Sequence, residues 1–211
     1  MREIKNNRVI VTGVVSEGMK LDHETYGEKF YQMTIVSERC SGREDMLPVM
    51  VSERLLDTSV DYTGQYIQVE GEFRSITLYE SDSNKSHLKL MIFAKSVQIA
   101  PMSKGEWDRN RIKLNGTICS VPLYRVSPQG KEICDILLSV ERTYGKTDCL
   151  PCVIWGEQAK YLAEQKPGTK MKISGKVRSH DYVKDGETKR AYEVFINEMQ
   201  FDKEWEVREI A

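Results

Sequence analysis

Two segments in the second half of the chain carry side chains that suit a nucleic acid. Neighbouring strand residues point to opposite sides, so Trp155 faces outward if Leu150 faces a core. The outward set of that segment is Cys149, Pro151, Val153 and Trp155. Along 170–178 the outward positions hold one serine and four cations, namely Lys170, Lys172, Lys176 and Arg178. An exposed indole can stack on a base while cations neutralise phosphates, and a single-stranded nucleic acid needs both.

Aromatic residues in nearby turns extend this predicted surface. Tyr144 stands beside Arg142 and Lys146, and Tyr182 follows the cationic segment. Stacking contributes on the order of 1–3 kcal/mol per base, so three aromatic residues suffice for useful affinity. Three alternatives stay open. In the first, the lysine row is a solvated face or protects a sheet edge. In the second, Trp155 packs against a neighbouring element or subunit. In the third, Tyr144 and Tyr182 are ordinary turn residues.

A two-residue periodicity of apolar side chains predicts strands along most of the chain. In the second half we expect strands around 112–118, 134–140, 150–154, 170–179 and 191–198, with turns at 127–130, 144–146 and 184–186. Residues 157–165 are rich in helix formers and end before a Pro-Gly pair, which predicts a short helix. Three strands, a helix and two strands is the element order of the OB-fold, a five-stranded, partly open barrel.

The same order occurs twice because the chain is a tandem repeat. A shift of 103 positions aligns Gly13 with Gly116 and Gly27 with Gly130, and one further position aligns Gly71 with Gly175. We therefore predict an all-β protein of two tandem OB-folds, each with one short helix. The predicted domains are 1–103 and 104–211, and the helix of the first copy is expected over 53–61.

The two copies differ in charge and in their outward residues. Residues 1–105 hold 13 basic and 15 acidic side chains, whereas residues 106–201 hold 16 and 13. Ser52 stands where the second copy has Trp155, and the cationic stripe becomes Tyr66, Gln68, Glu70, Glu72 and Arg74. We therefore place the main nucleic-acid site on the second copy and expect the first to serve partly as an assembly surface. Tyr79 is the best stacking residue left in the first copy.

Composition and motifs exclude several other classes of protein. Lys and Arg number 31 against 32 Asp and Glu, so no general attraction to membranes or nucleic acid is expected. The chain has no apolar run near the roughly 18 residues of a membrane span and no signal-peptide start. The 5 cysteines are an odd number and lack the spacing of a disulfide framework, which favours a reducing, cytoplasmic location with free thiols.

One cysteine pattern invites a metal or redox interpretation that we do not adopt. Cys149 and Cys152 form a CxxC, but residues three apart on a strand face opposite sides, and no second pair or nearby histidine completes four ligands. Glycine-rich phosphate loops, GxSxG elbows and HExxH motifs are also missing from the sequence. We expect no metal, no cofactor and no enzymatic activity.

The segments 110–156 and 167–186 resemble the bacterial single-stranded DNA-binding protein family. The likeness rests on the N-x-I-x-L-x-G opening from Asn110, the R-x-x-P-x-G turn from Arg125 and the GKVRS run from Gly175. It is strong over 109–200 and weaker over 6–99. The resemblance implies an OB-fold, stacking aromatics at Tyr144, Trp155 and Tyr182, and basic contacts at Arg125 and Arg178. Cys149 stands where the family often has another tryptophan.

The tandem arrangement is similar to the two-domain members, in which two chains supply four OB domains. It therefore implies a homodimer. The printed sequence shows neither the Gly/Pro/Gln-rich tail nor the acidic tip that many members use to recruit other enzymes, so recruitment through such a tip is not expected.

We predict sequence-independent binding of single-stranded DNA in replication, recombination or repair, with replication or recombination proteins as further partners. The predicted contact residues are Tyr79, Arg125, Arg142, Tyr144, Lys146, Trp155, Lys170, Lys172, Lys176, Arg178 and Tyr182. An alternative is a primosome-type adaptor in which the acidic first copy docks a replication protein and DNA contact is weak. RNA binding also fits the fold, since the sequence shows no obvious sensor for the 2′-OH.

Overall fold

The computed structural model describes residues 6–79, 86–99 and 110–202. Within these ranges the chain is almost entirely β. The strands of the first copy are β1 (Asn7–Thr25), β2 (Glu28–Glu38), β3 (Glu44–Ser52), β4 (Tyr66–Tyr79) and β5 (Ser86–Ile99). Those of the second are β6 (Asn110–Ile118), β7 (Leu123–Val126), β8 (Glu132–Glu141), β9 (Thr147–Trp155), β10 (Lys170–Lys184) and β11 (Glu187–Phe201). One α-helix, α1 (Gln158–Ala163), follows β9, and no helix in the described ranges is long and apolar enough to cross a membrane.

The strands of each copy close into a barrel. In the first copy their order is β2-β3-β5-β4-β1, and pairing of β1 with β2 closes the barrel. In the second the order is β6-β10-β11-β9-β8-β7, and pairing of β6 with β8 closes it. Each barrel contains one parallel pairing, β3 with β5 and β9 with β11. This is the predicted pair of OB-folds, and the fold class is confirmed.

Alternation along the strands fills both barrels with apolar side chains. In β9 and β10, the residues expected to face inward are buried: Leu150, Cys152, Ile154, Met171, Ile173 and Val177. Complete burial of such a side chain stabilises the fold by roughly 1.5–3 kcal/mol. Val153, which alternation places in the outward set, is nevertheless only 2% exposed. Its cross-strand neighbours Asp135 and Phe195 lie on the same face on either side of it.

The short helix exists in the second copy but not among the described residues of the first. In α1, Ala159 and Leu162 are buried on one face. The helix predicted over 53–61 was wrong, because that segment forms consecutive turns. The carboxylate of Asp57 accepts the N–H of Ser59 at 2.9 Å, and that of Asp61 accepts the N–H of Thr63 at 2.9 Å. Such local bonds offer the backbone an alternative to helical bonding.

A two-residue turn joins β10 to β11. Asp185 and Gly186 have φ values of 55° and 78°, the left-handed pair that a tight hairpin of two twisted strands requires. The turn predicted at 184–186 is therefore confirmed. It joins β10 and β11, each 15 residues long, into one hairpin.

The chain divides into two compact units that do not follow the boundary between the copies. Of the described residues, one unit holds 6–7, 113–176 and 193–202, and the other holds 8–79, 86–99, 110–112 and 177–192. The outer part of the β10–β11 hairpin thus belongs to the same unit as the first barrel. Ser179 is hydrogen-bonded to three residues of that unit, Arg39, Asp45 and Met46. We name these four residues the Ser179 clamp.

The Ser179 clamp is a network of hydrogen bonds around an ion pair whose carboxylate is buried and whose guanidinium is partly exposed. Arg39 donates from Nε to the Asp45 carboxylate at 2.9 Å, and that carboxylate accepts the N–H of Ser179 at 2.8 Å. Arg39 also donates to the Ser179 carbonyl at 3.0 Å, and the N–H of Met46 donates to Ser179 Oγ at 2.9 Å. Asp45 is 1% exposed, so these donors take the place of water around its carboxylate.

Glycine is required where the hairpin strands leave the second barrel. A Cβ on Gly175 would lie 2.1 Å from the Phe195 carbonyl oxygen, and Gly71 has the same relation to the Phe93 carbonyl in the first barrel. We expect Gly175→Ala to destabilise the protein by about 1–3 kcal/mol, because the strands must separate. Thermal unfolding followed by circular dichroism measures this as a lower midpoint.

Gly18→Ala is the matched control for this substitution. A Cβ there meets only the ends of two side chains, Thr63 Oγ1 at 3.0 Å and Asp61 Oδ1 at 3.1 Å, which can move. Its midpoint should stay near that of the parent chain. Equal midpoints for the two alanine variants would show that close approach of the Phe195 carbonyl does not limit position 175.

Candidate nucleic-acid interface

Trp155 ends β9 and stays 45% exposed. The ring of Phe195 on β11 contacts it edge-on, with centroids 5.8 Å apart and planes at 74°. Lys131, directly before β8, places Nζ 5.5 Å from the centroid of the Trp155 ring. We name these three residues the Trp155 platform. It presents a half-exposed indole that contacts one aromatic ring edge-on and has an ammonium group over its own ring.

Strand pairing fixes the position of each member of the Trp155 platform. Trp155 lies opposite Ile133 in the antiparallel pairing of β8 with β9. Phe195 lies opposite Val153 in the parallel pairing of β9 with β11. The indole therefore rests on rigid sheet rather than on a loop, which limits the entropy lost when a ligand binds.

Lys172, one of the four cations of the predicted row, lines a groove formed by residues of β6, β10 and β11. Lys170 and Lys172 are exposed, while Lys176 and Arg178 are half-buried, and Lys172 lies 3.3 Å from the Asp202 carboxylate. The groove has a volume of about 490 Å³ and is also lined by Lys113, Ser174 and Glu198. Ser174 donates to the Glu198 carboxylate at 2.9 Å. Of the described residues that line this groove, none belongs to the Trp155 platform.

The remaining predicted residues lie in several places. Arg125 on β7 donates to Asp135 at 2.9 Å, and Arg142 donates from Nε to the buried Asp148 at 2.7 Å. Lys146 is exposed at the turn after Gly145. Arg178 and Tyr182 belong to the other compact unit, where Tyr182 is exposed and its ring centroid lies 6.5 Å from that of His180. The side chains of Tyr79 and Tyr144 lie outside the described residues. Contact of these residues with DNA stays a prediction.

The cysteines of the CxxC pattern lie on opposite sides of β9. Cys152 is buried in the barrel, whereas Cys149 Sγ lies 3.5 Å from Cys119 Sγ near the surface. Burial raises the pKa of the Cys119 thiol to about 11, so this thiol is protonated at neutral pH. Among the described residues, no group of three or more His, Cys, Asp or Glu could hold a metal ion.

Sequence reasoning missed two members of the Trp155 platform. Phe195 approaches Trp155 only through the parallel pairing of β9 with β11, which a periodicity argument does not reveal. A usable signal existed, because phenylalanine recurs at the corresponding position 93. Lys131 stands in a turn immediately before β8, where its direction depends on the turn geometry.

Comparison with known proteins places the chain in a family. The model of the single-strand binding protein family matches residues 109–202. Single-stranded DNA-binding protein 3 of Clostridium acetobutylicum is 31% identical over 104 residues, which cover 46% of this chain and 72% of that protein. The single-stranded DNA-binding protein of Clostridium tetani is 32% identical over 104 residues, covering 46% and 71%. The chain belongs to the single-strand binding protein family.

A solved structure resembles this family member over both of its barrels. The crystal structure of the wild-type single-stranded DNA-binding protein from Thermus aquaticus matches with a TM-score of 0.74 and 18% identity. The match covers 96% of this chain and 94% of that chain. At this identity the comparison shows a shared fold. The matched region includes the first copy, which lies outside the residues 109–202 matched by the family model.

Proposed function

We propose that this member of the single-strand binding protein family holds single-stranded DNA without regard to sequence. A base stacks on Trp155, and Lys131 neutralises a neighbouring phosphate. The observation that carries the proposal is the exposed indole of Trp155, held edge-on by Phe195 with the Lys131 ammonium 5.5 Å from its centroid. Stacking tolerates any sequence because every base has a π-face. The names of the Clostridium relatives support DNA as the ligand.

The charge of the second copy supports the same proposal. Residues 106–201 hold 16 basic and 13 acidic side chains, in contrast to the acidic excess of the first copy. A phosphate that meets a cation releases condensed counterions, so the logarithm of the affinity falls linearly with the logarithm of the salt concentration. For single strands the slope is about 0.7 per phosphate neutralised.

Titration of the full chain with oligothymidylate tests the proposal. Stacking on Trp155 should quench tryptophan fluorescence, and the affinity should fall as salt rises. Lys131→Gln should lower the salt slope by about 0.7, because one phosphate contact is lost. Lys160→Gln is the matched control and should change the slope less, since Lys160 already faces the Glu132 carboxylate at 2.6 Å.

Two outcomes would overturn the proposal. One is the absence of binding by the full chain even at low salt. The other is binding with no quenching of Trp155 and with equal salt slopes for the two lysine variants. A competition between thymidine and uridine oligomers decides between DNA and RNA as the preferred ligand. The homodimer and the roles in replication, recombination or repair stay predictions.

A further inference from the structure

Two cysteines of the second barrel are in contact with each other. Cys119 Sγ and Cys149 Sγ lie 3.5 Å apart, and either thiol can donate to the other. Cys149 lies opposite Ser139 in the pairing of β8 with β9. On the other edge of β8, the N–H of Cys119 donates to the Leu137 carbonyl at 2.9 Å. We name Cys119 and Cys149 the thiol pair.

The thiol pair is not the pair that the CxxC pattern suggests. Cys152 is 2% exposed and lies inside the barrel, on the opposite side of β9 from Cys149. The neighbour of Cys149 is instead Cys119, 30 positions earlier in the chain. The shift of 103 positions places Ser16 and Met46 at the corresponding points of the first copy. The thiol pair is therefore a feature of the second copy.

A reagent in solution can reach the thiol pair. Cys119 is exposed and Cys149 is half-buried, whereas Cys134 and Cys152 are buried. Cys119 follows the last residue of β6 and begins the irregular connection 119–122 that leads to β7. A disulfide needs sulfurs about 2.05 Å apart, so the two Sγ atoms, now at 3.5 Å, must approach by about 1.5 Å. An irregular connection can supply such a shift more readily than the middle of a strand.

Proximity rather than acidity favours a bond between these two sulfurs. Burial raises the pKa of the Cys119 thiol to about 11, so its thiolate fraction at neutral pH is small and attack by this sulfur is slow. Once either cysteine carries a mixed disulfide, however, the other thiol already lies beside the sulfur that it must attack. Such a position raises the effective concentration of that thiol far above that of thiols in solution.

We infer that the thiol pair is an oxidation site, at which Cys119 and Cys149 form a reversible disulfide within one chain when they meet a low-molecular-weight disulfide such as oxidised glutathione. One thiolate attacks the small disulfide, forms a mixed disulfide and releases one small thiol. The second cysteine then attacks the protein sulfur of the mixed disulfide and releases the other small thiol. Two electrons pass from the pair to the oxidant, and both thiol protons leave on the released thiols. This chemistry does not depend on nucleic-acid binding.

The disulfide would stabilise the second barrel. It joins the start of the β6–β7 connection to β9 and closes a loop between residues 30 positions apart. A cross-link over such a loop lowers the entropy of the unfolded chain. We expect the oxidised chain to unfold about 4–16 °C above the reduced chain, and a reducing agent should abolish the difference.

Treatment of the full-length Cys40→Ser variant with oxidised glutathione at mildly alkaline pH tests the inference. This variant lacks the exposed cysteine of the first barrel, through which two chains can become linked, and keeps four of the 5 cysteines. After oxidation, two of the four should resist alkylation in the unfolded chain. A non-reducing digest should contain one linked peptide, which joins Cys119 to Cys149. Cys134 and Cys152 should still be alkylated, because both are buried in the folded chain during oxidation.

Cys149→Ser in the Cys40→Ser background is the matched control. Without its neighbour, Cys119 should keep glutathione as a stable mixed disulfide, and the oxidant should not raise the unfolding midpoint. Cys119→Ser should give the reciprocal result at Cys149. The oxidation site is overturned if the Cys40→Ser chain keeps four alkylatable thiols, keeps glutathione on either member of the thiol pair, or links another cysteine. A Cys119–Cys149 peptide without a higher midpoint would overturn the stabilising role.

Discussion

Trp155→Ala is expected to weaken binding of oligothymidylate by the full chain roughly 5- to 150-fold, the range that corresponds to loss of one base stack. The residue is half-exposed at the end of β9, so its removal costs the fold little. Binding measured by polarisation of a labelled oligomer avoids dependence on the lost fluorophore. The salt slope should hardly change, because Lys131 remains.

Trp155→Phe is the control for this change, since it keeps an aromatic ring at the end of β9. It should retain most of the affinity that the alanine variant loses. If the alanine and phenylalanine variants bind alike, at equal salt and with equal thermal stability, the Trp155 platform does not hold a base. The proposed function would then lack its central contact.

Asp45→Asn is expected to destabilise the chain by about 3–5 kcal/mol, the usual result when one partner of a buried ion pair is removed. The amide would remove the negative charge that faces the Arg39 guanidinium and would accept fewer of the bonds from Arg39 and Ser179. In a chain of this size each kcal/mol lowers the unfolding midpoint by about 2–4 °C. Calorimetry or circular dichroism measures the shift.

Glu44, which precedes Asp45 in the chain, provides the control for this substitution. Glu44 is exposed, so Glu44→Gln removes the same charge one position away and should move the midpoint very little. An equal midpoint for Asp45→Asn and Glu44→Gln would mean that the Ser179 clamp does not stabilise this unit. Asp148, which is paired with Arg142 in the second copy, offers an independent repeat of the experiment.

The strands could be predicted from the sequence because alternation reports directly on which side of a strand is buried. Exposure of Trp155 and burial of Leu150 follow from parity alone. The helix over 53–61 could not be predicted in the same way. There the local bonds of Asp57 and Asp61 outweigh the helix propensity of the neighbouring residues, and propensity alone does not measure that competition.

The site was harder to predict than the fold because it depends on which strands become neighbours. Phe195 reaches Trp155 through its pairing with Val153, a residue 42 positions earlier in the chain. Parity correctly placed Lys172 on an outer face but did not show that it faces Asp202. The sequence reports the side on which a residue lies, whereas its partners follow from the complete topology.

The Ser179 clamp means that the duplicated halves are no longer interchangeable modules. A fragment that stops at residue 103 keeps Arg39 and Asp45 but loses the backbone of Ser179 that both of them bind. A fragment that starts at residue 104 keeps the outer hairpin but loses Arg39, Asp45 and Met46, to which Ser179 of that hairpin is hydrogen-bonded. Replacing one half with that of a relative would therefore change only one side of this hydrogen-bonded contact. Substitutions in either half are constrained by the residues that they face in the other half.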